Sequence, residues 1–363
     1  MVNMQIGLVG LQYSGKTTLF STISGTDKTD ASQGKEEAQI EVVNIPDERL
    51  NKLTEMFQPK KTVHATIEVY DTPGLRMSDD GKVKITTTFL NNVRNNDALF
   101  YIIRQFAEDT VSHPMNSIDA IRDIEFLDTE FLFSDLAFLE SRIEKLKKEV
   151  MKSKDERLKK ELPLIEKCYA HVEAEKHLRT LTLDENETKM LSGYQLLTLK
   201  PLAIGINLDE SSINNVNDII DSIKTKLNNP GVEIIPFFGK IEFELSQLSA
   251  EDRATFMQDY GIKESALSKI LRTSYEILGL HSFFTVGEDE CRAWTIRKND
   301  TAQQAAGVIH TDFFNKFIRA EVVHYEEYLK HGSFPKCKEA GVWRLEGKEY
   351  IVKDGDILSI RHS

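Results

Sequence analysis

The segment Gly10-Leu11-Gln12-Tyr13-Ser14-Gly15-Lys16-Thr17 satisfies G-x-x-x-x-G-K-[ST], a spacing suited to holding phosphate. A loop between a strand and a helix aims several backbone N–H groups at one point, and the helix dipole adds positive potential there. In that setting Tyr13, Ser14, Gly15, Lys16, Thr17 and Thr18 are the expected phosphate contacts. Lys16 would reach the β- and γ-phosphates of a nucleoside triphosphate, and the Thr17 hydroxyl would bind Mg2+. The competing reading is a tight turn that merely uses glycine. The flanks favour phosphate: Gln5-Ile6-Gly7-Leu8-Val9 reads as a buried strand, and Thr17-Thr18-Leu19-Phe20 can open a helix.

A second element lies about fifty-five residues on, where a β-branched run, Ala65-Thr66-Ile67-Glu68-Val69-Tyr70, stops at Asp71-Thr72-Pro73-Gly74. In a P-loop switch protein this aspartate holds Mg2+ through water and the glycine N–H touches the γ-phosphate. Asp71 is thus a candidate metal residue beside Thr17, and Gly74 joins Lys16 as a candidate catalytic group. D-x-x-G alone is a common turn; its place after the P-loop gives it weight. In Ras-type enzymes the next residue is a glutamine that orients the attacking water. Here it is Leu75, which cannot hydrogen-bond to water. Hydrolysis must use another group, wait for a partner, or be slow.

The third element reads the base. Guanine-specific switch proteins carry N-K-x-D after a buried strand, the carboxylate accepting from guanine N1–H and the 2-amino group. This chain has Asn207-Leu208-Asp209-Glu210 after Leu202-Ala203-Ile204-Gly205-Ile206. Leu208 removes the lysine, and Glu210 is too long to place its oxygens where aspartate would. Adenine has no 2-amino group, so losing the guanine clamp removes discrimination against ATP. The site favours ATP or tolerates both purines; the bland alternative is a plain loop with a helix cap.

The elements that must position these groups read as an α/β protein. At 363 residues, with 40% hydrophobic and 29% charged residues, two or three soluble domains are expected. Further strands are expected at Ala98-Leu99-Phe100-Tyr101-Ile102-Ile103 and Val232-Glu233-Ile234-Ile235-Pro236-Phe237. No apolar run reaches membrane-spanning length, and no signal peptide fits. Cys168, Cys291 and Cys337 lie far apart and read as reduced cytosolic thiols, and neither they nor the histidines, His64 and His113 among them, have metal-ligand spacing. A net charge of −12 argues against broad nucleic-acid binding, DNA included, though not against a local basic patch.

Such a patch is legible. Leu136, Leu139, Ile143, Leu146 and Val150, then Leu158, Leu162, Ile165, Tyr169 and Val172, form two heptad-like arms around Lys152-Ser153-Lys154-Asp155. They predict an antiparallel helical hairpin projecting from the α/β domain, with Pro163 kinking the second arm or starting a new helix there. Residues 142–160 hold nine Lys/Arg against four Asp/Glu. That is either a solvated helix face or a contact for RNA phosphate.

Near the C-terminus Arg292-Ala293-Trp294-Thr295-Ile296, Phe317-Ile318-Arg319-Ala320-Glu321-Val322-Val323 and Tyr350-Ile351-Val352-Lys353 read as strands, 301–309 as a short helix, and Lys353-Asp354-Gly355-Asp356 as a turn. A small α+β domain is expected.

P-loop, D-T-P-G, N-x-x-E, hairpin and small C-terminal domain, in this order, resemble the YchF-type Obg-like ATPases over nearly the whole chain. The match is strongest at Cys291-Arg292-Ala293-Trp294-Thr295-Ile296, at Thr301-Ala302-Gln303-Gln304-Ala305-Ala306-Gly307-Val308-Ile309-His310-Thr311-Asp312-Phe313 and at Tyr350-Ile351-Val352-Lys353-Asp354-Gly355-Asp356, which look like that family's TGS domain; Leu196-Leu197-Thr198-Leu199-Lys200-Pro201 matches as well. The resemblance implies a P-loop NTPase domain (1–130 and 198–280), an inserted hairpin (131–197) and a C-terminal β-grasp TGS domain (281–363). It implies a cytoplasmic, translation- and stress-related ATPase that binds ribosomes or the large subunit. It also implies preference for ATP through Asn207, Leu208 and Glu210, places Phe106 near the adenine, and puts Gly239 and Lys240 in the loop near the base.

Two stretches depart from the family. Its first switch, of the N-F-P-F-C-T-I-E-P-N kind, has a Mg2+-holding threonine where this chain has Lys35, within Asp30-Ala31-Ser32-Gln33-Gly34-Lys35-Glu36-Glu37-Ala38. The glycine-rich loop after D-x-x-G is replaced by Arg76-Met77-Ser78-Asp79-Asp80-Gly81-Lys82-Val83-Lys84. The leading expectation is a monomeric, Mg2+-dependent, slow ATPase, with GTP as an alternative nucleotide, that docks on the ribosome through hairpin and TGS domain and not on membranes. The alternative is a nucleotide-binding adapter with little hydrolysis. A metabolic kinase has no use for D-x-x-G, N-x-x-E and TGS together.

Overall fold

A computed structural model describes residues 4–25, 39–73, 75, 85–108, 110–153, 155–227, 229, 231–259 and 264–363. The chain forms two compact units: Gln5–Glu41 with Val69–Leu267, and Met1–Met4 with Val42–Glu68 and Ser268–Ser363. The strands are β1 (Gln5–Val9), β2 (Gln39–Asn44), β3 (Lys61–Val63), β4 (Thr66–Asp71), β5 (Ala98–Gln105), β6 (Leu202–Leu208), β7 (Glu233–Phe237), β8 (Leu280–Thr285), β9 (Glu290–Arg297), β10 (Phe317–His324), β11 (Arg344–Glu346) and β12 (Asp356–His362). The helices used below are α1 (Lys16–Ser24), α2 (Glu48–Phe57), α3 (Thr87–Arg94), α4 (Ala120–Lys152), α5 (Glu156–Glu173), α6 (Glu185–Leu191), α7 (Val216–Leu227) and α8 (Gly239–Gln247).

The first unit is built on a sheet in the order β2-β4-β1-β5-β6-β7, to which β2 and β4 give their residues 39–41 and 69–71. β1, β5, β6 and β7 run parallel, with Val9 beside Tyr101, Arg104 beside Asn207 and Asn207 beside Phe237. β6 is buried along its whole length and β5 at all but its last residue, which is why their sequences are unbroken apolar runs instead of alternating ones. Val9, Leu11, Phe89, Val93, Leu99, Tyr101, Ile204, Leu208 and Ile234 share one core.

The hairpin is present and longer than expected. α4 begins at Ala120, inside the residues assigned to the NTPase domain, because Asp119 caps it by accepting from Arg122 N–H (3.1 Å). Leu139 and Leu146 pack against Leu164, Ile165, Cys168 and Val172 of α5. Pro163 neither ends α5 nor starts a new helix: it lies inside Glu156–Glu173 and is exposed. At the hairpin base the Asp135 carboxylate, fully buried, accepts from Leu197 N–H (3.0 Å), Thr198 N–H (2.7 Å) and the Thr198 hydroxyl (2.8 Å), with Arg94 3.5 Å away. That node fixes the 3-10 turn Leu197–Leu199 leading into β6.

The second unit carries a mixed sheet, β11-β10-β12-β8-β9-β3. Its edge strand β3 comes from Val42–Glu68, residues that the expected boundaries put with the NTPase domain. They group here because β3 runs parallel to β9 (Thr62 beside Cys291) and because Arg49 of α2 forks onto Asp354 (2.8 and 3.1 Å) while Phe57 stacks on Tyr328. The expected helix forms as Ala302–Ile309, with a capping box from Thr301 and Gln304. The strand expected at 350–353 does not form: Ile351 makes an isolated bridge to Thr301, and β12 starts only at Asp356, after the turn.

Candidate functional site

The P-loop follows β1 as expected, and α1 opens at Lys16. Two glycines are needed where they stand. A Cβ on Gly10 would lie 2.5 Å from the Ile102 carbonyl oxygen, and Gly15 has φ +91°, with a Cβ there 2.2 Å from Asn207 Nδ2. Tyr13, also at positive φ (63°), is 52% exposed, whereas Ser14 is buried and its hydroxyl has no partner among the described residues. Thr18 is half-buried, and its carbonyl accepts from the Thr22 hydroxyl (2.8 Å).

Lys16 and Asp71 meet. Lys16 Nζ lies 2.6 Å from Asp71 Oδ1, donates to the Thr72 carbonyl as well, and the two side chains are only 6% and 9% exposed. The Thr17 hydroxyl reaches Asp71 Oδ2 at 3.4 Å. These are hard oxygens of the kind Mg2+ takes together with phosphate and water, so the donor set fits that ion. The loop is tied to the segment after β4 by backbone: Gln12 N–H donates to the Leu75 carbonyl (3.0 Å) and Leu75 N–H to the Gly10 carbonyl (3.3 Å). The Leu75 side chain is 2% exposed and packs in the core, so this residue itself offers no polar group to hold a water. Gly74, Lys35 and the two rewritten stretches, 30–38 and 76–84, lie outside the described residues.

Asn207 joins two loops. Its Nδ2 donates to the Ser14 carbonyl (3.1 Å), and its Oδ1 accepts from Gly239 N–H (2.9 Å) at the start of α8. Leu208 is buried in the core, not exposed on the loop; Glu210, at the start of a 3-10 turn, is open to solvent and 4.0 Å from Lys240 Nζ. Phe106, just past β5, is half-buried under the Arg104 guanidinium. The sequence reasoning missed Arg104 and Thr72. The polar Arg104 at the end of the apolar run of β5 was the available signal; Thr72, whose hydroxyl donates to the Leu8 carbonyl (2.5 Å), gave none. A cavity of about 690 Å3 elsewhere in this unit, walled by Leu132, Leu136, Val172, Leu227 and Ile234, contains none of the P-loop residues.

A phosphate loop with a paired lysine, a carboxylate beside the P-loop threonine, a helical hairpin insertion and a C-terminal mixed-sheet domain define a P-loop NTPase of the translation-factor class. Residues 5–167 match the family model described as 50S ribosome-binding GTPase, and residues 280–363 match YchF-GTPase_C, described as a protein of unknown function (DUF933). The chain is 37% identical to the ribosome-binding ATPase YchF of Haemophilus ducreyi (99% of each chain) and 36% identical to that of Bacillus subtilis (98% of each). It superposes on the YchF GTPase of Schizosaccharomyces pombe with a TM-score of 0.85 at 32% identity, covering 99% of this chain and 98% of that one. The chain belongs to the YchF family. The relatives' names differ on the nucleotide, ATP in the bacterial proteins and GTP in the yeast one.

Proposed function

We propose that this chain is a Mg2+-dependent P-loop ATPase of low intrinsic turnover that acts in the cytoplasm on or near the ribosome. The observation that carries the reading is the buried convergence of Lys16, Thr17 and Asp71 at the start of α1. Lys16 binds the β- and γ-phosphates there, together with backbone N–H groups of 13–18, and the Gly74 N–H meets the γ-phosphate. Thr17, and Asp71 through water, are the residues that would hold Mg2+. Bound beside the phosphates, that ion would neutralise charge developing in transfer to water. Low turnover follows from Leu75, whose burial leaves no side chain at that position to orient the nucleophile.

On the base side Asn207 holds the loops, Phe106 faces adenine, and no lysine or aspartate clamps guanine, since Leu208 is buried and Glu210 stands at the rim beside Gly239 and Lys240. The relatives' names support ribosome binding. The surfaces we assign to it are the hairpin (131–197) and the TGS domain (281–363), in a monomer that binds neither membrane nor DNA. Among the described residues no helix is long and apolar enough to cross a membrane. The buried Leu75 equally favours the adapter with little hydrolysis. Titration calorimetry with Mg-ATP and Mg-GTP, followed by turnover with and without ribosomes, tests both. Tighter ATP binding with ribosome-stimulated turnover is expected. Clearly tighter GTP binding overturns the base reading, and no turnover in either condition selects the adapter.

A further inference from the structure

Arg104 is an arginine where the pattern of a central strand calls for an apolar side chain. It ends the buried run of β5, is 3% exposed, and lies in register with Asn207 on β6. No carboxylate forms an ion pair with it among the described residues. Its guanidinium is spent on backbone instead: Nε donates to the Phe106 carbonyl (3.1 Å) and Nη2 to the Val111 carbonyl (3.0 Å), while Nη1 is buried with no hydrogen-bond partner among the described residues. The same plane lies over the Phe106 ring, 4.7 Å from its centroid. Glu108 offsets this charge only from a distance, and burying a cation with no ion pair is expensive, so an apolar residue would serve a merely structural position better.

The segment that Arg104 gathers is irregular, and its other ties lie mostly toward α4: Gln105 Oε1 accepts from Ala120 N–H (3.3 Å), and Arg122 donates to the Met115 carbonyl (3.4 Å) and the Ser117 carbonyl (2.7 Å). Its far end is pinned to α4 by His113, whose Nδ1 accepts from Met115 N–H (3.1 Å) and whose Nε2 lies 2.9 Å from the buried Asp123. Between these pins, Arg104 holds the Phe106 carbonyl, the chain five residues on and the Phe106 ring face at once, so among the described residues it ties down where that ring sits. A lysine has neither the fork nor the flat face to do all three.

We infer that Arg104 is a positioning residue for base recognition, which presents the Phe106 ring as a rigid wall for the purine. The inference rests on the proposed placement of adenine against Phe106. A ring held in advance loses little freedom when a base stacks on it, so the effect falls on the base and not on the phosphates.

The test uses the full chain with Arg104→Lys, Arg104→Gln and Phe106→Ala. Calorimetric ATP titration is paired with displacement of ATP by millimolar inorganic tripolyphosphate, which reads the phosphate site alone, and with thermal midpoints. The Arg104 variants and Phe106→Ala are each expected to weaken ATP about tenfold, while tripolyphosphate affinity stays within about twofold of the parent. Arg104→Lys keeps the buried cation and is read even if Arg104→Gln does not fold. A parallel loss of ATP and tripolyphosphate affinity in the Arg104 variants would show a purely structural role and overturn the inference. So would unchanged ATP binding in those variants beside a loss in Phe106→Ala, with the placement of adenine left standing. Unchanged ATP binding in Phe106→Ala overturns that placement, and the inference with it.

Discussion

Lys16 Nζ and Asp71 Oδ1 are 2.6 Å apart although fifty-five positions separate them, and both side chains are almost wholly out of water. A buried pair of this kind places the cation of the P-loop and the carboxylate of D-x-x-G in one electrostatic unit. Thr17 extends it, with its hydroxyl 3.4 Å from the other carboxylate oxygen. Neither charge can be changed without leaving the other buried and uncompensated.

Lys16→Ala removes the cation that phosphates would meet and leaves Asp71 facing the same space as an unpaired negative charge. Both effects oppose a triphosphate, so ATP affinity is expected to fall at least a hundredfold, on the order of 3 kcal/mol. Unfolding stability should fall too, because a buried carboxylate loses its partner. Titration calorimetry reads the first and urea denaturation the second. ATP binding at parental affinity in this variant would place the site elsewhere.

Asn207→Ala acts on position instead of charge. Its amide bridges the Ser14 carbonyl and the Gly239 N–H, one on the P-loop and one at the start of α8. Losing it frees the P-loop from the base-side loop and leaves two buried backbone groups unpaired, a cost of about 1–3 kcal/mol each. ATP, GTP and tripolyphosphate should all weaken together, by about tenfold or more. Selective loss of ATP alone would instead mean that Asn207 acts only through the base.

The basic hairpin offers a charge prediction. Lys147 and Lys159 have carboxylate neighbours, Glu166 at 3.1 Å and Glu156 at 2.7 Å, but these pairs are exposed and contribute little. Lys148 and Lys160 are exposed on the same two arms. Reversing the charge at Lys147, Lys148, Lys159 and Lys160 should weaken ribosome co-sedimentation most at low salt, and the parent should lose binding more steeply than the variant as salt is raised. Unchanged co-sedimentation would mean the face is only solvated.

The phosphate loop was legible because its chemistry is local: eight consecutive residues set the backbone, and β1 and α1 came out where the apolar pattern put them. The central strands were equally legible from unbroken apolar runs. What the sequence hid depends on distant partners. The start of α4 turned on the Asp119 cap rather than on heptads, and the loss of a strand at 350–353 on the turn that delays β12 to Asp356. The grouping of 42–68 with the C-terminal sheet rests on Arg49 reaching Asp354 and on β3 joining β9. The convergence of Lys16, Thr17 and Asp71 was legible from motif spacing. Arg104 was visible as a polar residue closing the apolar run of β5, but its role escaped because its bonds go to carbonyls, which carry no side-chain signature.

Lys200 gives a prediction in pH. It is 9% exposed, donates to the Asn96 carbonyl, and lies near Asp97, Asp135 and Arg94. Burial brings its pKa down to about 8 from an ordinary 10.5, against the pull of the two carboxylates and with a smaller push from Arg94. The folded value is thus below the unfolded one. Under pH 8 both states hold the proton, and the full cost of burying the charge is present. Between pH 8 and 10.5 the unfolded chain holds more protons than the folded one, so rising pH relieves that cost, by on the order of 3 kcal/mol over the whole window. Urea denaturation of the parent and of Lys200→Met from pH 7 to pH 10 isolates this group, since the other titrations cancel in the difference. The parent should gain stability relative to the variant as pH rises through 8. A flat difference would mean that the ammonium finds in the folded chain an environment as favourable as water.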